Sequence, residues 1–158
     1  MKKEKKQEFT LRISKANKTG LVVILYDMVL EYLKDSLECF ERQDYKEFKW
    51  NIDRAKDCID ELLNSLHLEY ELAGILRGLY FFYKRELSTA AITEKKEKVV
   101  PVMEMIQELK ESYEKVSKED TSAPIMENTQ TIYAGLTYSK DSLNVSLSDQ
   151  GLNRGICI

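Results

Sequence analysis

Phe48, Ile52, Ala55, Ile59, Leu62 and Leu66 recur at alternating steps of four and three, which commits residues 44–66 to a helix with a single apolar face. Asp44, followed by Glu47 three residues later, reads as a capping box at its start. The same period marks three further segments. With Thr19 as N-cap, a helix from Gly20 to about Arg42 carries Leu21, Ile24, Leu25, Met28 and Tyr32, with Leu30, Leu33, Leu37 and Phe40 continuing it. After a turn at 67–70, residues 71–91 carry Leu72, Ile75, Leu76, Leu79, Tyr83 and Leu87 as a core stripe. From about Thr93 to Ser117 run Val99, Met103, Ile106, Leu109, Tyr113 and Val116, with Pro101 either falling in the first turn or kinking the helix. Only two prolines and six glycines in 158 residues suit long helices. Short connections between such helices favour antiparallel neighbours. The expected fold is all-α: an antiparallel up-down four-helix bundle over residues 19–118, with an N-terminal arm at 1–18 and a largely irregular C-terminal extension at 119–158.

Several classes of function find no support in the residues. A net charge of −3 gives no field for nucleic acid, and the lysine-rich start is diluted by Glu4 and Glu8 into a solvated tail. No apolar run approaches the roughly 18 residues of a membrane span, and the run at 21–26 is too short for a signal-peptide core, so a cytoplasmic protein without membrane insertion is expected. Cys39, Cys58 and Cys157 are odd in number and widely spaced, as reduced thiols would be. The sequon at 144–146 carries little meaning without a secretory signal. Helix bundles that house paired metals use a Glu-x-x-His motif on each of two helices, and this chain has one histidine, His67, with Asn64 three residues before it. No phosphate loop, nucleophile elbow or Cys–His pair is present, so the expectation is no catalytic residue, no metal and no cofactor.

What remains is a surplus of apolar surface. The first two turns after Gly20 are apolar nearly all round, and residues 71–87 keep Phe81 and Phe82, with Tyr80 beside them, after the core stripe is filled. Gly74 and Gly78 imply either a backbone approaching from outside or a tight core contact. Phe9, Leu11 and Ile13 form an alternating apolar triplet that lies extended in a groove or begins a short helix. Trp50 lies off its helix's stripe and reads as a partly exposed lid or an interface anchor. Beyond Glu119 the spaced apolar residues, Ile132, Tyr133, Leu136 and Tyr138 among them, fit either a disordered tail or one that docks on a groove.

Glu71-Leu72, Leu76, Leu79-Tyr80, Arg85 and Leu87 together resemble the third-helix signature of the FliS family of flagellar export chaperones. Ala16, Leu21 and Leu25-Tyr26-Asp27 are similar to that family's entry to its first helix, Ala55, Ile59 and Leu62 to its second, and Tyr113 falls where its fourth helix usually has tryptophan. The likeness runs from about Ser14 to Val116 in order. It departs at Asn17-Lys18, where Ser-Pro is common, at Glu86 in place of a second arginine, at Phe81 in place of a polar residue, and at Pro101. The resemblance implies a cytosolic chaperone that binds the C-terminal segment of flagellin, prevents premature polymerisation and presents the subunit to the export gate protein, without catalysis. On that reading the groove candidates are Leu21, Leu25, Ile52, Ile59, Tyr80, Phe81, Phe82 and Tyr83, and the arm residues Phe9, Leu11 and Ile13 tuck over the unoccupied groove. The alternative is a generic helical adaptor whose apolar surplus serves homodimerisation.

Overall fold

A computed structural model describes residues 1–126, and among them it contains helices and no strand. The arm is helical: α1 spans Lys3–Lys15. It is followed by α2 (Lys18–Glu41), α3 (Tyr45–Asn64), α4 (Glu71–Thr93), a 3-10 turn at Lys96–Lys98, and α5 (Val99–Glu119). The cap of α2 is Asn17 and not Thr19, because Asn17 Oδ1 accepts the Gly20 N–H at 2.8 Å while the Thr19 hydroxyl turns away to donate to the Asp120 carboxylate. Asp44 caps α3 as its sequence position suggests, accepting the Glu47 N–H at 3.2 Å. Pro101 causes no kink. It occupies the first turn of α5, where a missing N–H leaves no helical bond unmade.

Packing follows the α3 stripe and departs in part from those expected on α2, α4 and α5. α2 lies against α1, α3 and α5, and α4 lies against α3 and α5. Because α2 has neighbours on three sides, its opening turns are apolar nearly all round: Tyr26, Val29 and Leu33 enter the main core, whereas Ile24 joins Phe9 and Ala16 in a separate small cluster beneath α1. The α3 stripe from Phe48 to Leu62 is buried as its spacing dictates. On α4 the buried stripe is Ala73, Leu76, Tyr80, Tyr83, Leu87 and Ala90, rotated away from the expected one, so that Leu72 and Ile75 are 61% and 58% exposed. Val116 of α5 is exposed as well, and Val102 is buried instead.

Two alanines, Ala73 and Ala90, and two tyrosines, Tyr80 and Tyr83, belong to the buried face of α4. The Tyr26 and Tyr80 hydroxyls bond to each other inside the core, which satisfies two polar groups that burial would otherwise leave costly. Burial pushes the Tyr80 phenol up to about 12 and raises Tyr26 further, so both stay protonated. The Tyr113 ring meets Tyr26 edge-on with centroids 5.6 Å apart. Trp50 is a partly exposed lid: its indole stands edge-on to Tyr32 at 6.3 Å and under the Arg54 guanidinium at 5.7 Å.

Candidate binding surface

The cover formed by α1 follows from its helical period. Phe9 and Ile13, one turn apart, share the inner face, with Phe9 buried and Ile13 half-buried against Ile24, Leu21 and Met28. Leu11 lies on the opposite side of α1 and is 57% exposed, so of the expected triplet it covers nothing. Polar ties hold this helix in place. Arg12 reaches Asp27 of α2 at 2.5 Å, Lys110 of α5 reaches the other oxygen of that carboxylate at 2.7 Å, and Lys5 stands 3.6 Å from Glu31. The Asp27 carboxylate holds the Lys110 ammonium above the ordinary lysine range. These partly exposed pairs contribute on the order of 0–1 kcal/mol each, so Phe9, at about 1.5–3 kcal/mol for a fully buried aromatic, dominates the seat.

A second tie closes the far end of the cover. After α5 the chain turns back to the α1–α2 joint, where the Ile125 N–H donates to the Ala16 carbonyl at 2.9 Å and the Asn17 side-chain amide donates to the Asp120 carbonyl at 3.2 Å. The structure therefore joins the exit of the last helix to the hinge of the cap. Sequence reasoning gave no sign of this, because the bonds link positions with no shared pattern.

The outer surface of α4 is the other candidate. Phe81 is 51% exposed with the Arg77 guanidinium 5.6 Å over its ring, and Phe82 is half-buried under Arg85 at 5.4 Å. By helical period Gly74 and Gly78 share that outer side with Phe81, and a Cβ built on either glycine meets nothing within 4 Å, so neither a tight core contact nor a close backbone accounts for them among the described residues. At the start of α4, Leu68, Tyr70, Leu72 and Ile75 stand exposed together. Tyr70 and Leu72 also line a cavity of about 240 Å³ with Val22, Ser65, Leu66, His67, Leu76, Tyr80 and Tyr113, drawn from the start of α2, the turn after α3, the first half of α4 and the later part of α5.

Of the groove candidates, Phe81 and Phe82 reach the surface, and Leu21 is half-buried beneath α1. Leu25, Ile52, Ile59, Tyr80 and Tyr83 are core residues, inside the main cluster, and as the chain stands they offer a ligand essentially no surface, apart from the Tyr80 edge on the cavity. Ile52 and Ile59 are enclosed because α3 has a single apolar face, wholly spent on the core. Leu72 and Ile75, assigned by spacing to that core, are accessible instead.

Chemistry beyond binding has little to stand on. Burial pushes the Cys58 thiol up to about 11, the behaviour of a small packed residue and not of a nucleophile. Cys39 is also buried and free, and Cys157 lies outside the described residues, as do the sequon and the apolar positions from Ile132 onward. Among the described residues no group of His, Cys, Asp and Glu could hold a metal ion, and no helix is long and apolar enough to cross a membrane. The sequence model of one protein family, described as flagellar protein FliS, matches residues 1–120. No curated protein matches the chain.

Proposed function

This chain belongs to the FliS family of flagellar proteins, and from that premise we propose that it is a cytoplasmic export chaperone acting by sequestration without catalysis. Its ligand is the C-terminal segment of flagellin, which it keeps from polymerising and carries to the export gate. The observation that supports this most is that Phe9, Ala16 and Ile24 form a buried cluster of their own, which shares only partly buried neighbours, Met1, Leu21 and Met28, with the main core: lifting α1 uncovers Ile24 and more of Leu21 and Met28. The contacts of α2 with α1, α3 and α5, and of α4 with α3 and α5, support reading α2 to α5 as an up-and-down bundle with the 1–18 segment over it.

A disordered ligand that folds helix by helix along such a scaffold buries about 1,000–3,000 Å² and loses a few kcal/mol to ordering, which gives tight but reversible capture. The uncovered α2 face takes one amphipathic turn of the ligand, and the α4 surface around Phe81 and Phe82 takes another. Calorimetric titration of the full chain with the C-terminal segment of its cognate flagellin tests the proposal. Saturable heat and a one-to-one complex on gel filtration are expected. No heat and no complex would overturn it, and a concentration-dependent dimer in place of peptide binding would favour the homodimerisation module.

A further inference from the structure

We propose that the exposed apolar end of α4, with the cavity beside it, is the seat of this chain's own C-terminal extension. The seat is the cavity of about 240 Å³ that the exposed Tyr70 and Leu72 line, with Leu68 and Ile75 exposed close by in the chain. Clustered apolar exposure of this kind marks a surface that something covers.

Three observations identify the occupant. The first is position. The described chain ends beside the α1–α2 joint, where Ile125 is hydrogen-bonded to Ala16, and the cavity opens next to Val22, near the start of the same α2. The second is reach. Ile132 lies six residues past Met126, which spans about 20 Å at full extension, against about 8–10 Å between neighbouring helix axes. The third is chemistry. Residues 128–139 contain no Asp, Glu, Lys or Arg, yet they include Ile132, Tyr133, Leu136 and Tyr138, so burying them on Leu72 and Ile75 strips water from no ion.

Tethering decides between this segment and a second copy of the chain. A segment joined by a few residues is present at an effective concentration of roughly millimolar, which a separate molecule at micromolar concentration cannot match with the same contacts. The proposed occupant of this seat is therefore the chain's own extension, and the proposal stands independently of whether flagellin is the ligand of the chaperone.

Photo-crosslinking in the full chain, with no flagellin present, tests this. With p-benzoyl-phenylalanine in place of Tyr70, which is exposed and lines the cavity, irradiation at low micromolar concentration is expected to give crosslinks within one chain, mapping by mass spectrometry to residues 127–158. Full chain carrying Ile132→Asp and Tyr133→Asp should lose most of that product, and its amides at 68–76 should exchange several-fold faster than in the parent chain. A crosslinked dimer would hand the seat to a second copy and overturn the proposal. So would crosslinks confined to residues 1–126, no crosslink at all, or exchange at 68–76 indifferent to the two substitutions.

Discussion

Replacing Phe9 by alanine isolates the energy that holds α1 over the bundle. Phe9 is 4% exposed, Ile13 is half-buried, and Met1, just before α1, packs against the same cluster with its amino group paired to Asp35. Truncating a core phenylalanine usually costs about 3–5 kcal/mol, because a cavity remains that the structure cannot close. Here the loss is smaller, since α1 can detach before any cavity must persist, and the transfer term of about 1.5–3 kcal/mol sets the scale. At about 1.4 kcal/mol per factor of ten, the uncovered state becomes roughly 10- to 100-fold more populated. A ligand that requires that state gains the same factor until the uncovered form predominates. Calorimetry with the flagellin C-terminal segment should therefore show Phe9→Ala binding at least about tenfold tighter than the parent chain. Leu11→Ala, on the exposed side of the same helix, should stay within about twofold, as surface changes shift stability by under about 0.5 kcal/mol. The main thermal transition should barely move, because the cluster under α1 is separate from the core. Unchanged or weaker binding by Phe9→Ala, with an intact helical circular-dichroism signal, would refute the reasoning that α1 competes with the ligand.

Phe81→Glu should weaken flagellin binding with the melting midpoint nearly unchanged, since Phe81 lies outside the core stripe; global unfolding would place it inside. Gly78→Ala should raise stability by about 1 kcal/mol, because a Cβ there meets open space, and calorimetric melting showing a loss instead would mean that something presses on that glycine. Tyr26→Phe alone leaves the Tyr80 hydroxyl buried without its partner and should cost about 1–3 kcal/mol, whereas the double change to phenylalanine should be closer to neutral. The same pair sets an alkaline limit. Its folded phenols titrate above the unfolded value of about 10, so the stability they carry is complete below that pH. It is lost as pH rises from there through the Tyr80 value of about 12. Melting curves across that window should fall less steeply for the double variant than for the parent, and equal slopes would show that these hydroxyls are not the buried groups responsible.

The sequence disclosed the helices better than their faces. On α3 one apolar stripe competes with nothing, so Phe48 to Leu62 could be assigned to the core directly. On α4 two stripes overlap, and apolarity alone favours Leu72 and Ile75 over Ala73 and Ala90. The buried choice takes in the small Ala73 and Ala90 together with a hydroxyl pair between Tyr80 and Tyr26, and that pair is a property of the neighbouring helix. That is also why Tyr80 and Tyr83 looked available for a groove. The arm shows the same limit in miniature: Phe9, Leu11 and Ile13 alternate like a strand, and helical winding keeps two of the three against α2. Thr19 is the cap its sequence position suggests, but Asp120, far along the chain, takes its hydroxyl, and Asn17 caps the helix instead. The family signature survived these ambiguities because it is carried by order and spacing, which the rotation of one helix does not alter.

The bonds from Asp120 and Ile125 to the α1–α2 joint have a consequence for how the molecule comes into being. Local pairs such as α2 and α3 form early, since little chain entropy separates them, whereas the tie at Ala16 must wait for almost the whole described chain. On a ribosome, residues 16 and 17 are made long before residues 120 and 125 exist to hold them. A newborn chain thus passes through an interval in which its long helices are paired but its cover is only half latched.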